Sequence, residues 1–177
     1  MKKAILILFF TLVTLTGAFA QRFAYVDSEF ILKHMPEYAS AQKQIEALSV
    51  QWQKEVDVRF QEIDRLYKAY QADQVLMTAD MKKRREAEIA DKEKTAKDFQ
   101  RQKFGPEGEL AQKSNSIIKP IQDKMAKAIQ AVAENESLDV IFDKNSEVIM
   151  LYFNPRYDKS NDVLAKLGIK GTATPAK

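Results

Sequence analysis

Apolar residues recur with a helical period through the first half of the chain. Between positions 45 and 70 the large apolar residues are Ile45, Leu48, Val50, Trp52, Val56, Val58, Phe60, Ile63, Leu66, Tyr67 and Tyr70. At about 100° per residue, all but Val50 and Val58 fall within an arc of ~120°. Residues 37–73 contain neither Gly nor Pro, so they predict one amphipathic helix of ~55 Å at about 1.5 Å per residue. After a bend at residues 75–77, Thr78 or Asp80 can cap a second helix. That second stretch, 79–104, differs in kind. Fifteen of the 24 residues from 80 to 103 are charged, and its large apolar residues are Met81, Ile89, Phe99 and Phe104. Charges four apart, such as Glu88 with Lys92 and Glu93 with Lys97, support an exposed helix by ~0.2–0.5 kcal/mol per pair.

The sequence GPEG (residues 105–108) then breaks or kinks the helix. Helical spacing resumes with Leu110, Ile117, Ile121, Met125, Ala128 and Val132, and Pro120 predicts a further kink. The period then falls to two. Residues 138–142 and 148–153 read as the strands of a hairpin around the turn DKNSE. Residues 23–26 (FAYV) are a third strand candidate. Asp27 or Ser28 can cap the short helix after it, and Pro36 suits the first turn of the next helix. Residues 158–168 (DKSNDVLAKLG) read as a last short helix, with Asp158 or Ser160 as cap and Gly168 as stop. The tail, IKGTATPAK, has nothing to bury.

Two adjacent helices joined by a tight bend form an antiparallel pair. With the bend near Met77, residue x faces roughly residue 154 − x. Two strands alone are marginal in water, so the strand at 23–26 is expected to join the hairpin and bring both chain ends into one body. Residues 148–153 are apolar on both faces and require cover on both sides. One chain offers too little, which predicts a homo-oligomer with pooled strands; the pattern leaves the copy number open. The body positions expected to meet in that assembly are Tyr25, Val26, Val140, Ile141, Phe142, Ile149, Leu151 and Tyr152.

The expected fold is therefore mainly α with a small β body, three strands per chain, from which a long helical-hairpin arm projects. Its parts are a signal peptide (1–20), the N-terminal part of the body (21–47), the arm (48–104), the C-terminal part of the body (105–167) and a flexible tail (168–177). The first helix of the arm brings eleven large apolar residues and the second returns four. Some of Trp52, Phe60, Tyr67 and Tyr70 must then lie under lysine and arginine stems, pack on neighbouring subunits, or face a non-native client.

Composition narrows the function. Residues 1–20 have the basic start, apolar run and Ala18-Phe19-Ala20 ending of a cleaved secretory signal peptide; the run is short for a membrane anchor, which needs ~20 apolar residues. Cleavage would leave 157 of the 177 residues, with 26 bases against 25 acids. The basic balance of the whole chain is then no argument for nucleic acid as a partner. There is no cysteine, so an exported chain must be held by burial or assembly. Lys82, Lys83, Arg84 and Arg85 form a basic cluster near the predicted tip. It is either a solvated face or an attraction for anionic lipid or acidic client segments. His34 is the single histidine and sits in an apolar turn. No histidine-based triad, Gly-rich phosphate loop or Cys/His metal cluster is present, and neither an enzyme nor a cofactor is expected.

The stretch FAYVDSEFILKHMPEY resembles the opening of the Skp/OmpH family of periplasmic chaperones. LDVIFDKNSEVIMLYF resembles that family's closing hairpin, and DKSNDVLAKLG its last helix. The resemblance implies a trimer in which strands from three copies make a small barrel and paired-helix arms enclose a cavity. It implies an ATP-independent holdase that shields unfolded outer-membrane proteins in the periplasm, with no catalytic residue and no cofactor. The near-neutral charge departs from the family's frequent basicity. GPEG is a second departure, and makes Gly105 and Gly108 candidates for a hinge or a static kink. The rival readings are an envelope structural or adaptor coiled coil that binds one folded partner, and a rod that binds envelope glycan or lipid.

Overall fold

The computed structural model describes residues 22–147 and 150–170. Its elements are β1 (Phe23–Val26), α1 (Ser28–His34), α2 (Pro36–Asp73), α3 (Ala79–Phe104), α4 (Glu109–Glu136), β2 (Val140–Asp143), a 3-10 turn (Pro155–Tyr157) and α5 (Ser160–Lys166). The predicted signal peptide and residues 171–177 of the tail lie outside the described residues. The described residues divide into two compact units: Leu32–Lys127, and a second that joins residues 22–31 with 128–147 and 150–170.

In the helical unit, Pro36 lies in the first turn of α2, where its missing N–H removes no bond. The helix runs 38 residues, about 57 Å at 1.5 Å per residue. Thr78 caps α3, its hydroxyl oxygen accepting the Met81 N–H at 3.3 Å. The two helices pair antiparallel. Glu62 meets Lys92 at 2.9 Å, the register expected for a bend at Met77. Ile63, Ile89 and Ala96 form a buried cluster, with Leu66 and Tyr70 packed against it. A large apolar side chain buried this way contributes roughly 1.5–3 kcal/mol, so these few residues, rather than the many exposed charges, hold the pair. Pro120 does not end the third long helix: α4 runs 28 residues with Pro120 inside it.

The sheet unit corrects the predicted hairpin. β2 pairs in parallel with β1, in the register Phe23 to Val140, Ala24 to Ile141, Tyr25 to Phe142 and Val26 to Asp143. Of the expected second hairpin strand, Val148 and Ile149 lie outside the described residues, and residues 150–153 are not strand. The chain leaving β2 follows β1 instead of reversing. The Lys144 N–H donates to the Val26 carbonyl at 2.8 Å. The Asp143 carboxylate accepts the Ser28 hydroxyl at 2.6 Å and the Ser28 N–H at 3.2 Å. On the far edge of β1, the Lys159 N–H donates to the Tyr25 carbonyl at 2.9 Å, beside a parallel bridge between Tyr25 and Asp158.

One sheet face, Ala24 and Val26, is buried. Ile31, Val163 and Leu164 are fully buried in the same unit, with Ala128 and Val132 also inside. Asp27 caps α1 through the Phe30 N–H at 2.8 Å, and Ser160 Oγ accepts the Asp27 N–H at 2.8 Å. α5 begins where Asp158 accepts the Ser160 N–H at 2.9 Å and stops near Gly168, whose φ of +76° is in the left-handed region that glycine tolerates.

Candidate interaction surfaces

The second sheet face is apolar and open. The parallel register puts Phe23, Tyr25, Val140 and Phe142 on it. Phe23, Val140 and Phe142 are exposed, whereas Tyr25 is buried. Tyr25 packs edge-on against Phe153 with ring centroids 4.8 Å apart, and Phe23 lies 5.0 Å from Tyr157. A cleft of about 350 Å³ lies among these rings, lined also by Met150 and Tyr152. Leu151 is 96 % exposed and Tyr152 is also exposed. Burial, aided by the Asp158 charge, raises the Tyr25 phenol above its ordinary value. The outer edge of β2 has no strand partner among the described residues.

Of the body residues singled out from sequence, the sheet therefore brings together Tyr25, Val140 and Phe142 on one face. Val26 is buried and Ile141 half-buried on the other; Leu151 and Tyr152 stand exposed on the segment after β2. Ile149 lies outside the described residues. At the end of the sheet a polar knot fixes the geometry. Burial works against the Asp27 carboxylate, yet the Phe30 N–H, the Asn145 amide and the Lys144 ammonium outweigh it and hold its pKa below 3.8. Asn145 donates to Asp27 at 2.8 Å, and Lys144 lies 3.4 Å away.

On the helical pair the four aromatic candidates divide. Trp52 is 8 % exposed, and the Lys103 ammonium lies 4.8 Å over its ring. Of the kinds of cover considered from the sequence, a lysine of the facing helix is thus placed at this ring. Phe99 is stacked by the Arg59 guanidinium at 3.7 Å and approached by Lys103 at 5.5 Å. Tyr70 is half-buried, and its hydroxyl donates to Glu86; that bond raises the phenol's pKa. Phe60 and Tyr67 remain exposed apolar surface.

At the bend between α2 and α3, Val75 and Leu76 are 86 % and 87 % exposed. Of the four adjacent bases, Arg85 pairs with Glu88 at 2.8 Å. Lys82, Lys83 and Arg84 have no ion-pair partner among the described residues.

Gly105 and Gly108 form a tight connection. A Cβ on Gly105 would stand 2.5 Å from the Arg101 carbonyl oxygen. One on Gly108 would stand 2.8 Å from the Gly105 nitrogen and 2.9 Å from the Lys103 carbonyl oxygen. The glycines serve close backbone approach, so alanine here would break the turn rather than stiffen it. Sequence reasoning missed the contact that spans this turn. Lys103, in the last turn of α3, pairs with Glu109, in the first turn of α4, at 2.5 Å. A base and an acid flanking a Gly-Pro-Glu-Gly break were the available signal.

A family model described as "Outer membrane protein (OmpH-like)" matches residues 22–167. The chain belongs to the OmpH-like family. An uncharacterized protein of Aquifex aeolicus (strain VF5) is 26 % identical over 161 residues, covering 90 % of this chain and 94 % of that one. The OmpH-like fold is also that of a crystal structure from Caulobacter crescentus CB15 that bears the name of an outer membrane chaperone (OmpH-like). It matches with a TM-score of 0.67 and 17 % identity, covering 89 % of this chain and 91 % of that one. The matched residues take in both β-strands and all five α-helices of the described residues.

Proposed function

We propose that this protein is an ATP-independent holdase chaperone of the periplasm, exported through a cleaved signal peptide. It keeps unfolded outer-membrane proteins from aggregating by holding them, without covalent chemistry, in a cavity between helical arms. The observation that carries this reading is membership of the OmpH-like family across residues 22–167; the chaperone name borne by the structurally similar Caulobacter protein supports it. The working form is a homo-oligomer, with three copies as in the family resemblance. Two features support assembly: an apolar sheet face carrying Phe23, Val140 and Phe142, and an outer edge of β2 left without a described partner. An unpaired edge beside an open apolar face is a template for strands of another copy. Phe60 and Tyr67 supply exposed apolar contact for clients on the arm, diffuse and weak enough to accept unrelated sequences.

The test is suppression of aggregation. Several unrelated urea-unfolded β-barrel proteins, diluted into buffer without nucleotide, should stay soluble in the presence of this protein. A structural adaptor would leave them to aggregate and would bind one folded partner instead. Val75 and Leu76 beside Lys82, Lys83 and Arg84 favour one further contact, with anionic lipid at the bend. Flotation with anionic vesicles, lost on replacing the three bases by Gln, would support it; equal flotation of both forms would refute it.

A further inference from the structure

The connection between α3 and α4 is broken on one side only. α2 runs unbroken, and its Trp52 meets α3 at Lys103. Through residues 105–108 the backbone bonds are local: Gly105 N–H to Arg101 at 2.7 Å, Gly108 N–H to Gly105 at 2.8 Å, and Gln112 N–H to Gly108 at 3.1 Å. None of these runs from α3 directly to α4. Two side-chain hydrogen bonds do link the helices directly, and they converge on one group. The Glu109 carboxylate accepts Lys103 Nζ at 2.5 Å and Gln102 Nε2 at 2.9 Å.

Lys103 is itself held. Its side chain is 14 % exposed and its ammonium lies over both Trp52 and Phe99. One side chain therefore touches α2, α3 and α4. Glu109 stands in the first turn of α4, where the helix dipole favours a carboxylate. An open cleft of about 720 Å³ borders the connection, lined by Arg101, Pro106, Glu107 and Gln112 among others. The Ile63, Ile89 and Ala96 cluster holds α2 to α3 by apolar burial, which salt does not weaken. A partly exposed ion pair is weakened by salt. The two attachments are thus separable: the helical pair can stay closed while its connection to α4 loosens.

We propose that the Lys103–Glu109 pair is the fastener of the α3–α4 joint, and that loosening it widens the range of client sizes the protein accommodates; the second half rests on the chaperone reading. The absence of cysteine makes the test direct. Spin labels are placed through Lys94→Cys and Asn115→Cys, both exposed, on α3 and α4. The distance distribution is measured by pulsed electron resonance in the full-length protein. With the pair intact and at low salt, one narrow distribution is expected. Glu109→Gln removes the charge and leaves Lys103 over Trp52. It should raise the population outside the main peak about threefold, the scale of a partly exposed pair. About 1 M salt, where the Debye length is roughly 3 Å, should do the same to the native sequence and little to the variant.

Trp52 is the single tryptophan, so an unchanged emission maximum certifies that α2 and α3 remain paired. The functional half is read from aggregation suppression of one large and one small unfolded β-barrel protein, with Glu109→Gln raising the large-to-small capacity ratio. An unbroadened distribution in the variant and at high salt overturns the fastener. A broadened distribution with an unchanged capacity ratio overturns its role in client range. If the native protein suppresses no aggregation at all, the chaperone reading and the client-range half fail together, while the distance measurement still decides the joint.

Discussion

The sheet unit and the helical pair deal with surplus apolar surface in opposite ways. On the sheet, Phe23, Val140 and Phe142 lie open beside a ring-lined cleft, and Leu151 stands almost wholly exposed. Along the helical pair, Trp52 and Phe99 are roofed by Lys103 and Arg59, and away from Val75 and Leu76 at the bend the open apolar residues, such as Phe60 and Tyr67, are scattered. A contiguous apolar face asks for a permanent partner. Scattered apolar groups among charges give weak, exchangeable contacts, with the cationic stems keeping the arm soluble in the meantime. The difference teaches how one chain can carry one surface suited to a lasting partner and another suited to weak, exchangeable contacts.

The largest expected effect breaks the sheet side of that contrast. Phe142→Asp with Leu151→Asp places charge on two side chains that a single chain leaves exposed, so each isolated chain should still fold. In an assembly the charges become buried and unpaired, which costs several kcal/mol. The variant should run as a helical monomer by light scattering, and the native protein as the proposed oligomer; an unchanged mass would remove this face from the interface. Next comes the roof on the helical pair. Trp52→Ala empties a buried site and should destabilise by about 3 kcal/mol, as large-to-small core changes do, whereas Tyr67→Ala on the open surface should stay within about 0.5 kcal/mol. Equal shifts in urea unfolding would erase the distinction between covered and open aromatics.

A smaller effect belongs to the polar knot. Asp27 is held below its ordinary 3.8 by the Phe30, Asn145 and Lys144 contacts, against burial. Its contribution is therefore complete above 3.8 and is lost as pH falls through the lower folded value. Asp27→Asn should flatten that part of the acid dependence of thermal stability. A variant with the native acid profile would show that the knot does not steer it. The charges facing Asp27 include Lys144, so Lys144→Gln should raise the acid midpoint slightly in the same measurement.

The helices were legible because their signals are local. The Gly- and Pro-free run at residues 37–73, the Thr78 cap and the stop near Gly168 each depend on a few neighbouring residues. The Glu62–Lys92 register followed from the bend alone. The sheet was legible only in part, because strand direction and register depend on distant partners. The marginal stability of two strands did suggest that 23–26 would join 138–142, as β1 joins β2, but alternation in 148–153 suggested a hairpin strand where residues 150–153 form none, and nothing local announced the parallel register. The identity of the lysine over Trp52 was hidden in the same way, since Lys103 lies on another helix. The stoichiometric imbalance of apolar residues did announce that some cover was needed. Pro120 was expected to kink the third long helix rather than end it, and α4 does continue through it.

The account stands on a body shared between copies that leaves the helical pairs free to hold an unfolded guest. Native mass spectrometry of the processed protein, alone and after mixing with a urea-unfolded outer-membrane β-barrel protein, addresses this most directly. The account predicts a homo-oligomer, of three chains on the family resemblance, that takes up the unfolded chain without nucleotide. A stable monomer that leaves the unfolded chain unbound would contradict it.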